Sequence, residues 1–313
     1  MHRNLHSVGK EMSRAKNVAE KIPLTQPVED WLRALARQHS ISKGAHDVIQ
    51  AAISRPEFAS YASAFDLGKD AGVNTATVTR AAQALGFSGW PELRHEIRAR
   101  YVGLLTAPEL ATVHDAGSSG LPFDDALNRQ IADLNLIRRS LDRERVKTFA
   151  SLIAKSNRRV IIACGSFAGV GRILAHHAGI AGYRCEFYDD AVATANGLSD
   201  ISSGDVVIII TFWRLYNVAI TAGRQAQERG ATVCLLSDAA ISPVAKHAHH
   251  VLIVPSEGSS FFPALVPSLS VVEGICAELE SVNVEKARQS VRDAEQQWQD
   301  FNLLHFNSRP WTE

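Results

Sequence analysis

Residues 66–90 read DLGKDAGVNTATVTRAAQALGFSGW, a pattern that leaves few folds open. Gly72 stands where a first short helix would end, the usual place for a left-handed residue. Asn74 offers a side-chain oxygen to the free N–H groups of a second helix. That helix is predicted over residues 75–85 and stops at Gly86. On a 3.6-residue wheel Val78, Ala81, Ala82 and Leu85 share one face, while Ala76, Thr79, Arg80 and Gln83 share the opposite one. The second helix thus has an apolar back and a front of small, hydrogen-bonding side chains. Such a front fits the floor of a DNA major groove. Short residues let the backbone approach, Arg80 presents two donors to a guanine edge, and Gln83 matches adenine. An ordinary helical hairpin with a solvated polar face has the same local pattern.

The longer run LGKDAGVNTATVTRAAQALGFSGWPELR closely resembles the N-terminal DNA-binding motif of the RpiR family of bacterial transcription regulators. Leu67, Ala71, Gly72, Val73, Ala76, Thr77, Val78, Arg80, Leu85, Gly86, Phe87 and Gly89 all fall in the motif's places. Gly68 stands where alanine is usual and Asn74 where serine is. Asparagine caps as well as serine, and glycine costs about 1 kcal/mol of helix propensity. The resemblance implies a double-stranded operator as partner, contacted through Asn74, Thr75, Ala76, Thr79, Arg80 and Gln83. It also implies a homodimer or homotetramer whose heads meet two half-sites roughly 34 Å apart.

A chain of 313 residues, 46% hydrophobic, has room for two domains. Its formal net charge is zero, but the charge is unevenly spread. Residues 1–105 hold 14 Lys and Arg against 10 Asp and Glu, which leaves the rest acidic. A mildly basic head on an acidic body suits a module that touches phosphates with its head alone. The four cysteines, at 164, 185, 234 and 276, have no CxxC spacing and read as buried reduced thiols of a cytoplasmic protein. The first ten residues, MHRNLHSVGK, lack the apolar stretch of a signal peptide, and no run approaches the ~20 apolar residues of a membrane span.

The order of segments predicts an α/β chain of two domains. Residues 1–26 read as a polar arm, with Arg3, Lys10, Arg14 and Lys16 near DNA phosphates or in solvent. Residues 27–105 form an all-α head. Its helices are expected over 27–39, 44–54 and 91–105, with 56–61 as a connection. Arg94, Arg98 and Arg100 either flank the DNA backbone or are solvated. Residues 106–122, TAPELATVHDAGSSGLP, have the Pro, Gly and Ser content of a linker. Residues 123–282 open with helices over 123–141 and 146–153. Five apolar runs follow, RVIIAC, CEFY, VVIIIT, TVCLLS and VLIVP, separated by helical segments. Near-continuous apolar strands alternating with helices mean a parallel sheet covered on both faces. Residues 283–313 carry a last charged helix.

Residues 145–280 resemble the SIS (sugar isomerase) domain that follows the helix-turn-helix in RpiR regulators. The landmarks are GDVVIIITFWRLYNVAITAGRQAQERGATVCLLSD, the Ser242-Pro243 pair, VLIVP and SSFFPAL. The resemblance implies a flavodoxin-like αβα sandwich with a five-stranded parallel sheet, whose ligand lies beyond the strand ends at the switch in strand order. Two loops meet there. The first offers Gly165, Ser166 and Phe167, and the second Thr211, Trp213, Arg214, Tyr216 and Asn217. Each leads into a helix N-terminus, where N–H groups and the dipole favour an anion. Sugar-phosphate-binding relatives carry a serine near the position of Ala168 and a serine-rich run in the second loop. Here that run is TFWRLYN, with Thr211 alone keeping a hydroxyl near its start. Arg214 is suited to clamp a phosphate or carboxylate, or to pair on the surface.

The reading that follows is a transcription regulator of carbohydrate or related metabolism. It is controlled by an anionic effector, a sugar phosphate or sugar acid, and needs no cofactor or metal. His247, His249 and His250 have the composition of a metal cluster but no carboxylate or thiol close in sequence. His176 and His177 are expected in the core or at an interface. Glu257 lies at a strand end, where SIS isomerases place chemistry. An isomerase would need such a base and a phosphate cradle, and most of the serine cradle is missing. A regulator whose body only dimerises is the remaining alternative.

Overall fold

The computed structural model describes residues 26–115, 120–212, 215–239, 242–260 and 262–305, with the side chains of 107, 114 and 115 left aside. The head is a set of short helices: α1 (Val28–Arg37), α2 (Lys43–Ser54), α3 (Pro56–Tyr61), α4 (Ala64–Asp70), α5 (Thr75–Ala84) and α6 (Trp90–Leu104). The sequence starts several of them with a side-chain cap. Ser42 accepts from the Ala45 amide at 3.3 Å, Ser63 from Asp66 at 3.1 Å and Asn74 from Thr77 at 2.9 Å. Gly72 ends the α4 segment at φ 67°, and the Val73 amide returns to the Gly68 carbonyl at 2.8 Å. Trp31, Leu32, Val48, Ile49, Leu67, Val78, Ala81, Ala82, Trp90 and Ile97 form the buried core of this head. The Trp90 indole N–H, buried with them, donates to the Ala62 carbonyl at 3.0 Å. Residues 56–61, expected only to connect, wind into α3, because Pro56 is preset for a helical first turn.

Residues 107–115 fold as helix α7 (Ala107–Asp115) inside the stretch expected as linker. Thr106 and Glu109 close a capping box: the Glu109 carboxylate takes the Thr106 amide at 2.7 Å. Two helices then lead into the body, α8 (Pro122–Ser140) and α9 (Arg143–Lys155).

The body's sheet has strands β1 (Arg159–Ala163), β2 (Glu186–Tyr188), β3 (Val206–Ile210), β4 (Thr232–Ser237) and β5 (His250–Ile253). All neighbours are parallel, in the order β2-β1-β3-β4-β5. Between them run α10 (Ala168–Ile180), α11 (Ala191–Gly197) and α12 (Asn217–Glu228); α13 (Val266–Val282) and α14 (Val284–Asp300) follow β5. Alternate strand residues divide between the two faces. Ile161, Ile208, Cys234 and Leu252 pack under α9, α10 and α13. Val160, Ile162, Val207, Ile209, Val233 and Leu235 pack against α11 and α12. Burial on both faces is why the strands read as continuous apolar runs. The strand order reverses at β1 and β3, so their carboxyl ends open the crevice of a doubly wound sheet.

Candidate functional site

Helix α5 presents the polar front that its sequence implies. Val78, Ala81 and Ala82 are fully buried. Thr75, Ala76, Arg80 and Gln83 are exposed, and Thr79 is partly so. Asn74 spends its side chain on the helix: its Oδ1 takes both the Thr77 amide and the Thr77 hydroxyl. Arg80 reaches Thr77 Oγ1 at 3.2 Å and Gln83 the Ser88 carbonyl at 3.4 Å, both contacts at the surface.

At the sheet's switch point the two expected loops do meet. Gly165 has φ 61°, in the left-handed region that excludes most side chains, and a Cβ there would lie 2.5 Å from the Tyr216 hydroxyl. Ser166, Tyr216 and Asn217 are exposed around this contact. Thr211 is buried at the end of β3, its amide bonded to Leu236. Phe167, expected to contact the effector, packs its ring on Phe212 at 4.1 Å between centroids and joins the core. Trp213 and Arg214 lie outside the described residues, as do the basic residues of the N-terminal arm.

Sequence reasoning missed the junction between head and body. Arg94, Arg98 and Arg100, expected beside the DNA backbone or in solvent, are instead engaged within the chain. Arg100 is buried under the Trp31 ring at 4.3 Å, and burial lowers its pKa to about 10. Arg94 donates to the Ala62 carbonyl at 3.2 Å. Arg98 crosses to the body and pairs with the Glu257 carboxylate, which also accepts from the Tyr61 hydroxyl at 2.9 Å. The Arg98 guanidinium lies 4.5 Å over the Tyr61 ring. Burial, then the nearby Glu257 charge, raises the Tyr61 phenol pKa. From α8, Arg129 pairs with Asp133 at 3.2 Å and approaches Glu257 at 3.9 Å. His95 bonds to the Asp238 carbonyl at the end of β4; a carbonyl only accepts, so this ring nitrogen carries the proton. Burial lowers the His95 pKa and keeps the ring neutral. Glu257 and Asp238 follow β5 and β4, so the head sits on the carboxyl edge of the sheet.

The histidine readings resolve in ordinary contacts. His249 Nδ1 accepts from the Val233 amide at 2.9 Å, and His247 bonds to Gln227 at 2.7 Å. His176 and His177, expected in the core or at an interface, are exposed on α10.

Two family models match. A helix-turn-helix domain of the rpiR family covers residues 33–102, and a SIS domain covers residues 152–277. Among solved structures, the sugar isomerase domain of an RpiR transcription factor from Sphaerobacter thermophilus aligns with 24% identity and a TM-score of 0.54. It covers 56% of this chain and 98% of its own. The NanR protein of Vibrio vulnificus, solved with ManNAc-6P, aligns with 19% identity and a TM-score of 0.55 over 89% of this chain and all of its own. At these identities the likeness is one of fold. The family rests on the two models, which in this order take in more than half of the chain: it belongs to the RpiR family of helix-turn-helix regulators with a SIS domain.

Proposed function

We propose that the chain is a DNA-binding transcription regulator. It reads an operator through α5 as a homodimer and answers to an anionic sugar derivative bound by its SIS body. The observation that carries this reading is the division of α5 into a fully buried back and an exposed front of Thr75, Ala76, Arg80 and Gln83. A helix so divided, preceded by a capped turn, is built to lay its front in a groove. The effector's anionic group meets the N-termini of α10 and α12, beside Gly165, Ser166, Thr211, Tyr216 and Asn217. Trp213 and Arg214 belong to the same loop. An isomerase reading is less well supported, because the strand-end carboxylate of Glu257 is taken up by Arg98 and Tyr61. The ManNAc-6P named with the Vibrio NanR puts phosphosugars first in an effector panel.

The test is a fluorescence titration of the full chain against DNA from upstream of its own gene and its neighbours. It is run at two salt concentrations, with and without sugar phosphates and sugar acids. Tight binding to one segment, weakening steeply with salt, is the expected result. Equal, weak binding to every segment would overturn the operator reading. A titration unmoved by every metabolite would leave the body as a dimerisation module.

A further inference from the structure

The junction between head and body lines a partly open cavity of about 100 Å³, several times the roughly 10–15 Å³ that one water needs. Three guanidinium groups line it: Arg94 and Arg98 from α6 of the head, and Arg129 from α8 leading into the body. Their charges are unequally answered. Arg98 and Arg129 have carboxylate partners in Glu257 and Asp133. Arg94 forms no ion pair among the described residues; its hydrogen bond goes to a neutral carbonyl. The charges acting on it are those of Arg98 and Arg129, which together with burial depress its pKa. One nitrogen of Arg98, Nη2, is buried with no hydrogen-bond partner. A buried guanidinium N–H without an acceptor is costly, and a partly buried cation with two like charges beside it and no ion-pair partner of its own adds to that cost. The same wall carries acceptors in the carboxylates of Asp133 and Asp238, beside the Glu257 carboxylate that Arg98 and Tyr61 already take up.

We propose that this cavity is a binding site for a small polyhydroxylated oxyanion. Its phosphate or carboxylate group lies against Arg94, the free Nη2 of Arg98 and Arg129, and its hydroxyls donate to the facing carboxylates. A bare anion would meet those carboxylates unfavourably, and a neutral polyol would leave Arg94 unanswered, so the lining selects for both features in one molecule. Because the arginines come from both sides of the junction, the bound anion bridges head and body. It favours this docked arrangement to the extent that it binds it better than an undocked one. The site is separate from the loops at Gly165 and Thr211, and the inference does not depend on operator binding.

The experiment is hydrogen exchange on the full chain with inorganic phosphate, gluconate and glucose 6-phosphate as probes, joined to calorimetric titration of wild type and Arg94→Gln. The expected result is saturable binding of at least one polyhydroxylated anion, with protection gained at residues 94–99 and 255–258. Arg94→Gln should weaken that binding by about tenfold or more, the loss of one charged hydrogen bond, with the thermal midpoint of the ligand-free chain unchanged. Tighter binding of glucose 6-phosphate than gluconate identifies the phosphate as the held group, and the reverse order identifies the carboxylate. Protection confined to residues 165–169 and 215–219 would move the ligand to the strand-end loops and overturn the proposal. So would the absence of binding by all three probes, or an affinity that Arg94→Gln leaves unchanged. Operator binding, measured separately, survives any of these failures if the regulator reading holds.

Discussion

At the scale of single residues, His95 makes the junction sensitive to acid. Its folded pKa lies below the ordinary value because burial disfavours the imidazolium, and Arg98 and Arg94 oppose it further; the Asp238 carbonyl and Glu257 act the other way and lose. The unfolded chain therefore binds the proton more readily than the folded one. Stability is fully present above the unfolded pKa of about 6.5 and falls as the pH drops from there toward the depressed folded value. His247 contributes in the same direction, its pKa also lowered by burial. The thermal midpoint is expected to fall between pH 7 and pH 5, and His95→Gln should flatten part of that slope while His247→Gln flattens another part. A His95→Gln slope identical to wild type would remove His95 from the account. Gly68 gives a second residue-scale prediction. A Cβ there would lie 2.9 Å from the Val73 carbonyl oxygen and 3.4 Å from Val78. Alanine is the better helix former by about 1 kcal/mol, but crowding a packed turn costs about 1–3 kcal/mol. Gly68→Ala is expected to lower stability by about 1 kcal/mol in denaturant titration; a gain would show that the turn yields.

Among the elements, α5 carries the sharpest expectation. Arg80→Ala removes an exposed side chain whose one hydrogen bond among the described residues is to Thr77, so stability should hold. Operator affinity should drop by about 1–3 kcal/mol if Arg80 reads a base, with specificity relaxed at one position. An unchanged affinity and salt slope would assign recognition elsewhere. Most helices and all five strands were legible because each is written locally. Asn74 and Gly72 mark the turn, and the apolar runs mark strands covered on both faces. Helix α7 was not, because the Pro, Gly and Ser of residues 106–122 outweighed the single capping pair Thr106 and Glu109. Phe167 was misread for a related reason: loop position suggested a ligand contact, whereas an aromatic ring beside Phe212 gains more by joining the core. The junction is the least legible part. Tyr61 and Glu257 are 196 residues apart, and no local period encodes a contact at that distance. A cluster of arginines on α6 was the one available signal, and surface arginines are too common for it to point inward.

For the whole molecule, the homodimer proposed above needs a surface that brings two heads together. A single helix-turn-helix reads a short half-site, and pairing doubles the contact with DNA. Helix α8 carries an apolar surface suited to that pairing. Phe123, Leu127 and Ile131, spaced by four, are exposed by 78%, 48% and 49% and form one stripe. Further along the helix Asp133 is buried at the junction, and Ile137 packs on the body's core. The later turns of the helix are thus anchored to the body, and its first turns leave an apolar line in solvent, which large aromatic and aliphatic groups rarely do without a partner. A second copy seated on the same stripe would bury both lines about a two-fold axis. Leu127→Asp together with Ile131→Asp places like charges across that axis and removes the apolar contact. In sedimentation velocity the wild type should run as a dimer and the double variant as a monomer of unchanged secondary structure. Its operator binding should weaken at least a hundredfold, while its affinity for a single half-site should stay within a factor of two or three of wild type, since α5 is untouched. A double variant that still sediments as a dimer would put the pairing surface on another face and leave the α8 stripe without this role.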